Sequence, residues 1–279
     1  MRINSTAQGM INRLGQTQRT GQQLSSQLAS GNRLQSASTD AAGLAIANKM
    51  MSQLIGFGQA DRNVQDGISM LQTADGALSN AGNITNRINE LTVQAANGTL
   101  NKDQRGMIQN EINQLTDELN GIANRTQFNN MNLLDGTFSE ENGGAWIQSG
   151  ANAGQGHRIS IEDMSADSLG LGNISVVGDD GEQISQQIGA TQTAMSRINS
   201  QRANIGASIN RFEHTSSAIG TSMENTARAH SRIADTDMAK AAMQKTQNNI
   251  LQQANISMLR NLMQSEEMMQ NSLLKAFGI

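Results

Sequence analysis

Apolar positions between residues 184 and 233 recur in an unbroken alternation of four and three residues. This spacing is typical of a coiled-coil face and predicts one long helix over the whole segment. Polar seam positions, such as Thr191, Arg202 and Ser216, are expected where the face meets solvent or a neighbouring chain. The seam consists of Ile184, Ile188, Thr191, Met195, Ile198, Arg202, Ile205, Ile209, Phe212, Ser216, Ile219, Met223, Thr226, His230 and Ile233.

Two shorter apolar stripes precede this seam and predict two more helices. One stripe lies within a predicted helix of residues 102–124, and the other belongs to a helix that begins near Asp40, a good N-cap residue. Three such faces predict an antiparallel bundle. The stripes are Ile108, Ile112, Leu115, Leu119 and Ile122, and Val64, Ile68, Leu71, Leu78, Ala81, Ile84, Ile88, Leu91 and Ala95.

The stretch 130–180 has a different pattern, because glycines are frequent and apolar residues alternate over short runs. Such runs, separated by turn residues, favour β-hairpins. They occur at 145–148, 158–162 and 173–177. We therefore predict a small hairpin-rich β insert that caps the bundle.

The two chain ends carry apolar stripes of their own. At the N-terminal end two sets of residues lie seven apart, and at the C-terminal end two sets lie eleven apart, a repeat that gives a nearly straight stripe on a helix. We predict that the terminal helices pair, stay loosely ordered in the monomer, and fold fully when subunits stack. The predicted polymer interface is Ile3, Met10, Leu14, Leu24, Leu28, Leu251, Met258, Leu262, Met269 and Leu273.

Composition narrows the possible functions. The chain has 279 residues without Pro, Cys or Tyr, so long helices are uninterrupted and disulfides and thiolate metal sites are excluded. A net charge of −4 without a basic block gives no reason to expect nucleic-acid binding. No apolar run is long enough to insert into a membrane, and the first residues lack the apolar core of a signal peptide.

Candidate chemistry is sparse. His157, His214 and His230 are far apart in sequence, and none has carboxylates or thiols at metal-ligand spacing. A structural role is the better interpretation for each of them. No nucleophile-elbow or phosphate-loop pattern occurs. The sequence therefore predicts a protein that is not an enzyme and uses no cofactor.

Several segments resemble the bacterial flagellin signatures, in the family's order and spacing over nearly the whole chain. Some of these segments resemble the signature of the family's N-terminal region, and the others resemble that of its C-terminal region. The N-terminal segments are 24–31, 40–46, 65–69, 73–78 and 125–129, and the C-terminal ones are 200–207, 210–215 and 231–239.

The resemblance implies a domain organisation. Residues 1–38 and 236–279 correspond to the channel-lining inner helical domain, and residues 39–129 and 181–235 to a rod-like bundle domain. Residues 130–180 correspond to the hairpin region of that bundle. The short span between Leu134 and Ile184 implies a minimal form without the variable outer domains.

The resemblance also implies partners and a location. The chain is expected to form a helical homopolymer, after export through the flagellar type III apparatus without a cleaved signal peptide. An export chaperone is expected on the C-terminal helix, whose Met258, Met263, Met268 and Met269 would otherwise be polymer core. A filament cap and hook-associated junction proteins are the other expected partners, and the expected location is the extracellular flagellum.

Toll-like receptor 5 recognises many flagellins. By resemblance, the matching positions are Arg87, Leu91, Gln94 and Glu111. Arg87, Leu91 and Gln94 are spaced to share one helical face. Two alternatives remain at this point: Leu91 also belongs to the bundle seam, and Arg87 also suits a solvated or subunit-interface charge.

We therefore expect a structural subunit of the flagellar filament that serves motility. A minor filament protein or a hook–filament junction protein is the alternative within the same class. A coiled-coil export adaptor or binding module is the alternative from another class, and it predicts discrete oligomers in place of filaments.

Overall fold

The structure, a computed structural model, describes residues 2–178 and 181–276; within these, the side chains of residues 2–6, 181, 270 and 272–276 are not described. The fold is mainly helical, as predicted, with helices α1 (Arg2–Ser30), α2 (Ala41–Ala95), α3 (Lys102–Arg125), α4 (Gly181–Ala234) and α5 (Met238–Ala276). Four short strands lie between α3 and α4: β1 (Gln127–Phe128), β2 (Met131–Asn132), β3 (Ala145–Gln148) and β4 (Gly156–Ile159).

Side-chain caps define where two of the helices begin. The Asp40 Oδ1 accepts a hydrogen bond from the Gly43 backbone at 2.8 Å, which satisfies one free amide at the start of α2 and confirms the predicted cap. Asn101 and Gln104 form a reciprocal capping box at the start of α3. The first residues of α2 and α3 are thus set by local sequence.

The chain forms two compact units, one of Met1–Ser52 with Thr226–Ile279 and the other of Gln53–Asn225. Their borders fall inside α2 and α4, whereas the resemblance suggests an inner domain of 1–38 and 236–279. The helix breaks near residues 31–40 and 235–237 lie close to those expected borders.

The unit of Gln53–Asn225 has a continuous aliphatic core. The three predicted seams meet in it, with Leu71, Ile112 and Ile198 among the residues that are almost fully buried. Phe212 of α4 is the largest fully buried side chain among the described residues. The α4 seam is buried or half-buried from Ile184 to Ile219, which confirms a helix face that packs within the subunit.

Polar positions on the α4 seam pair with α2. The Thr191 hydroxyl donates to Asn89 Oδ1 at 2.7 Å, and the Ser216 hydroxyl donates to Asp61 Oδ1 at 2.6 Å. The expectation that these two positions face solvent or a neighbouring chain is therefore wrong. A polar pair across two helices satisfies both partners inside the subunit.

Arg202, another of these seam positions, forms an ion pair across the same helices. Its Nε lies 2.9 Å from Asp75 Oδ1. The hydrogen bond to this carboxylate and its negative charge raise the pKa of the Arg202 guanidinium above its ordinary value. Both side chains keep access to solvent, so the pair fixes the register of α2 and α4 more than it adds stability.

The β insert begins earlier than predicted. Strands β1 and β2 pair across Asn129 and Asn130, whose positive φ angles of 50° and 61° suit the tight turn of a two-residue hairpin. Strands β3 and β4 form the second hairpin, in which Ile147 lies opposite His157. The insert therefore starts at Gln127 and not at residue 130.

The stretch 160–178 contains no strand, although alternation predicted strands at 158–162 and 173–177; only Arg158 and Ile159 lie in β4. Its backbone groups bond to side chains of α3 instead. Gln109 bridges the Ile174 carbonyl at 2.9 Å and the Val176 amide at 2.7 Å, and Asn120 accepts from the Ala166 amide at 2.9 Å. The stretch thus lies along α3, and it does not cap the bundle as predicted.

Candidate functional site

The terminal helices α1 and α5 pack together along a heptad seam on each helix, and this confirms the predicted pairing. On α1 the covered positions follow the predicted seven-residue spacing. On α5 they also alternate by four and three, but most are polar. The α1 seam is Ala7, Met10, Leu14, Thr17, Gly21, Leu24 and Leu28, and the α5 seam is Ala241, Lys245, Asn248, Gln252, Asn255, Leu259, Leu262 and Glu266.

The α5 seam does not follow from the apolar pattern of the sequence, because most of its residues are polar. A signal was present, since Ala241, Asn248, Asn255 and Leu262 lie seven apart, as Ala7, Leu14, Gly21 and Leu28 do on α1. A polar seam can pair closely where side-chain amides find backbone acceptors. Spacing alone, without regard to polarity, would have revealed it.

The junction between the helices of this unit is an antiparallel bridge. The Arg33 amide donates to the Ala234 carbonyl at 2.7 Å, and the Thr236 amide donates to the Gly31 carbonyl at 2.8 Å. Gly31 has φ +70°, a conformation that favours glycine after a helix end. A small core of Leu34, Ala47 and Ala234 packs at this junction.

A second face of α5 remains exposed and strongly apolar. It has two adjacent pairs of residues, and the spacings from one pair or single residue to the next are 7, 8, 10 or 11 positions. Such spacings are close to whole turns of a helix, so the residues share one side that is separate from the seam toward α1. A shallow groove of about 540 Å³ runs along part of it. We call this surface the outer face of α5, defined by Met243, Ile250, Leu251, Met258, Met268 and Met269.

The described residues of the predicted interface divide between the α1–α5 seam and the outer face of α5. Leu24 is buried, and Met10, Leu14, Leu28 and Leu262 are half-buried within the helix pair. Leu251, Met258 and Met269 are exposed on the outer face of α5. The side chains of Ile3 and Leu273 lie outside the described residues. The described α1 residues of the predicted interface are thus partly or fully covered within the subunit's own helix pair.

The four residues matched to receptor recognition differ in exposure. The Arg87 Nη2 lies 2.8 Å from Glu111 Oε1 and its Nη1 lies 3.2 Å from Glu90 Oε2, all on the surface. The hydrogen bond to Glu111, followed by that to Glu90, raises the pKa of Arg87. Gln94 is exposed, but Leu91 is only 2% exposed and belongs to the core. Receptor recognition stays a prediction.

Other kinds of site find little support in the described part of the chain. No group of three or more potential metal ligands occurs within residues 2–178 and 181–276. None of the helices in those ranges is both long and apolar enough to cross a membrane. The exposed apolar surface of α5 is therefore the strongest candidate site.

Comparison with known proteins identifies the family. Residues 2–139 match the model of the bacterial flagellin N-terminal helical region, and residues 188–274 match that of the C-terminal helical region. The chain belongs to the bacterial flagellin family. Flagellin of Bacillus subtilis is 42% identical over 93% of this chain and 95% of its own length.

A second relative is a flagellar filament core protein. The 33 kDa core protein of Treponema phagedenis is 40% identical over 91% of this chain and 92% of its own length. This chain is therefore a structural flagellin subunit and not an enzyme, as predicted.

A solved structure shows the same fold. It comes from Vibrio parahaemolyticus, and its name assigns it to the hook-associated flagellar proteins. It covers 71% of this chain and 100% of its own, with a TM-score of 0.57 and 13% identity. At that identity the likeness establishes the fold of this flagellin alone.

Proposed function

We propose that this flagellin polymerises into the flagellar filament through the outer face of α5, which packs against other copies of the chain. The observation that carries the proposal is the set of six exposed large apolar side chains that share one side of α5. Exposed apolar clusters of this kind mark interaction sites in soluble proteins. A non-closing contact between different surfaces of identical subunits generates a helical filament.

The energetics favour assembly along this face. Met243, Met258 and Met268 expose 66%, 55% and 67% of their surface. Complete burial of such a side chain is worth about 1.5–3 kcal/mol, so covering the remaining half contributes about 1 kcal/mol for each residue. The six residues of the face together give enough free energy to offset much of the entropy lost on association.

The pairing of α1 with α5 prepares this face for assembly. The polar α5 seam gives few apolar contacts, so the pair alone is weakly held and the outer face gains order when a second copy covers it. The expectation that the ends tighten on stacking therefore stands as part of the proposal. Limited proteolysis tests it: α1 and α5 of the monomer should be cleaved faster than the core unit and become resistant in filaments.

Seeded elongation is the direct test of the proposed face. Short filament fragments are mixed with monomer, and length is followed by light scattering and electron microscopy. Ile250→Ser and Met258→Ser should each slow elongation at least tenfold, because each removes apolar contact from the face. Met107→Ser is the matched control, since Met107 is 70% exposed on α3. Elongation of all three variants at the wild-type rate would refute the role of the outer face.

The remaining partners are part of the proposal and rest on the family resemblance. The export chaperone covers the outer face of α5 before assembly, since that surface would otherwise be exposed inside the cell. The cap and hook-associated junction proteins contact the same terminal helices at the two ends of a filament. The proposed location is the extracellular flagellum, reached by type III export without a cleaved signal peptide.

Recognition of the monomer by Toll-like receptor 5 is proposed from a smaller set of residues. Arg87, Gln94 and Glu111 form an exposed polar patch, while Leu91 supports it from the core. Glu111→Arg places two cations side by side and should abolish activation of cells that express Toll-like receptor 5. Unchanged activation by a folded Glu111→Arg protein would exclude this patch.

A further inference from the structure

Methionine supplies all the sulfur in this flagellin. The chain has 16 Met and no Cys, so an oxidant that attacks sulfur meets only thioethers. Four methionines lie on the outer face of α5, namely Met243, Met258, Met268 and Met269, at exposures of 48% to 67%. The exposed apolar face of α5 is thus also rich in oxidisable groups.

Other methionines are placed differently. Met70 and Met164 are 4% and 3% exposed in the core of the unit Gln53–Asn225, where oxidants have little access. Met107 is 70% exposed on α3, which belongs to the unit Gln53–Asn225 and not to the unit that contains α5. Met238 and Met263 of α5 are also exposed, at 50% and 61%, but helical spacing places them on a different side of the helix from the four. Accessibility therefore distinguishes the core methionines from the surface ones, and the side of α5 distinguishes these two from the four.

We propose that these four methionines form an oxidation site that controls the assembly of the subunit. The inference rests on the proposed function, because it requires the outer face to be buried between copies. The proposed oxidant is hydrogen peroxide. The thioether sulfur attacks one peroxide oxygen and forms an S–O bond, the O–O bond breaks, and the departing hydroxide takes the proton from the oxygen now bonded to sulfur and leaves as water. Sulfur loses two electrons and becomes a sulfoxide, and peroxide is reduced.

The sulfoxide changes the face from apolar to polar. Its oxygen is a strong hydrogen-bond acceptor, and burial without a donor is unfavourable. An oxidised subunit is therefore excluded from the filament, whereas a subunit already in the filament has these sulfurs covered. Reduction by methionine sulfoxide reductases returns the thioether and with it the ability to assemble.

The test compares seeded elongation before and after treatment of monomer with hydrogen peroxide, and peptide mass spectrometry locates the sulfoxides. Wild-type elongation should fall at least tenfold, and reductase treatment should restore it. A variant with Met243→Leu, Met258→Leu, Met268→Leu and Met269→Leu keeps the apolar volume without an oxidisable sulfur. The elongation rate of each treated protein is divided by its own rate before treatment, and by this ratio the four-leucine variant should lose less than twofold. Met107→Leu, the matched control, should remain as sensitive as the wild type.

Two outcomes would overturn the inference. One is normal elongation of wild-type monomer in which all four positions carry sulfoxide. The other is an equal loss in the four-leucine variant, which would place the sensitive group elsewhere. Neither outcome touches the proposed function, whose own failure appears in untreated protein as normal elongation of Ile250→Ser.

Discussion

Asn248 of α5 packs directly over Gly21 of α1, with its Nδ2 donating to the Thr17 carbonyl oxygen at 3.0 Å. A Cβ atom at Gly21 would stand 2.7 Å from the same nitrogen. The glycine therefore serves close approach of the two helices, and the amide fixes their register. This one contact joins the two ends of the chain across more than two hundred residues of sequence.

A double-mutant cycle tests this contact. Alanine in place of a helical glycine favours the helix by about 1 kcal/mol, but Gly21→Ala displaces Asn248 and breaks its hydrogen bond. We expect Gly21→Ala to increase hydrogen-exchange protection of α1 clearly in an Asn248→Ala background, and little or not at all in the wild type. Gly15→Ala is the control, because no atom lies near its Cβ position. Identical effects of Gly21→Ala in both backgrounds would contradict the packing.

Arg105 is a buried cation that joins two loops to α3. Its Nη1 donates to the Gly178 carbonyl at 2.6 Å and its Nη2 to the Asn97 carbonyl at 3.3 Å. Arg105→Ala leaves both acceptors without this donor and should lower the free energy of unfolding by about 1–3 kcal/mol. Urea denaturation measures the change. Arg62→Ala, at an exposed arginine of α2, should change it by less than about 0.5 kcal/mol.

Phe212 is the largest anchor of the α4 seam. Phe212→Ala should destabilise the protein by about 3–5 kcal/mol, because a fully buried ring leaves a cavity that rigid helices cannot close. Met223→Ala, further along the same seam, should cost less than about 1 kcal/mol, since Met223 is 39% exposed. The midpoints of urea denaturation are compared between variants that share the same dependence of the free energy of unfolding on urea concentration. Equal losses would mean that the seam is packed uniformly, contrary to the structure.

His157 predicts a pH dependence in the β3–β4 hairpin. Its ring lies 6.0 Å from that of Phe212, and burial, with a smaller effect of the Arg211 charge, lowers the pKa of His157 below 6.5. The unfolded chain then binds a proton before the folded one does, so the free energy of unfolding falls as pH drops below about 6.5. His157→Phe keeps a neutral ring there and should flatten this slope. An unchanged slope between pH 7.5 and 5.5 would remove His157 as its cause.

The helices of this flagellin were predictable because their seams repeat with helical period. Ile184 to Ile219 and Ile108 to Ile122 bury the positions that the spacing selects. The stretch 160–178 was not predictable, since its alternation resembles a strand while its backbone bonds to Gln109 and Asn120 of α3. Such contacts depend on side chains remote in sequence, which local periodicity does not encode.

The candidate site was only partly predictable for a related reason. Spacing identified Leu251, Met258 and Met269, which are exposed on the outer face. It also selected Leu24 and Leu28, which pack within the α1–α5 pair, because an apolar stripe does not reveal which partner covers it. The polar residues Asn248 and Asn255 of the α5 seam carried no apolar signal at all.

Single-cysteine labelling tests most directly whether the outer face of α5 lies between subunits, and the absence of native cysteine makes it clean. Met258→Cys protein is treated with a thiol-reactive alkylating reagent as monomer and as preformed filament, and the labelling rates are compared. We predict rapid labelling of the monomer and at least a tenfold lower rate in the filament. Equal rates in the two states would show that the filament leaves this face open, and would contradict the account.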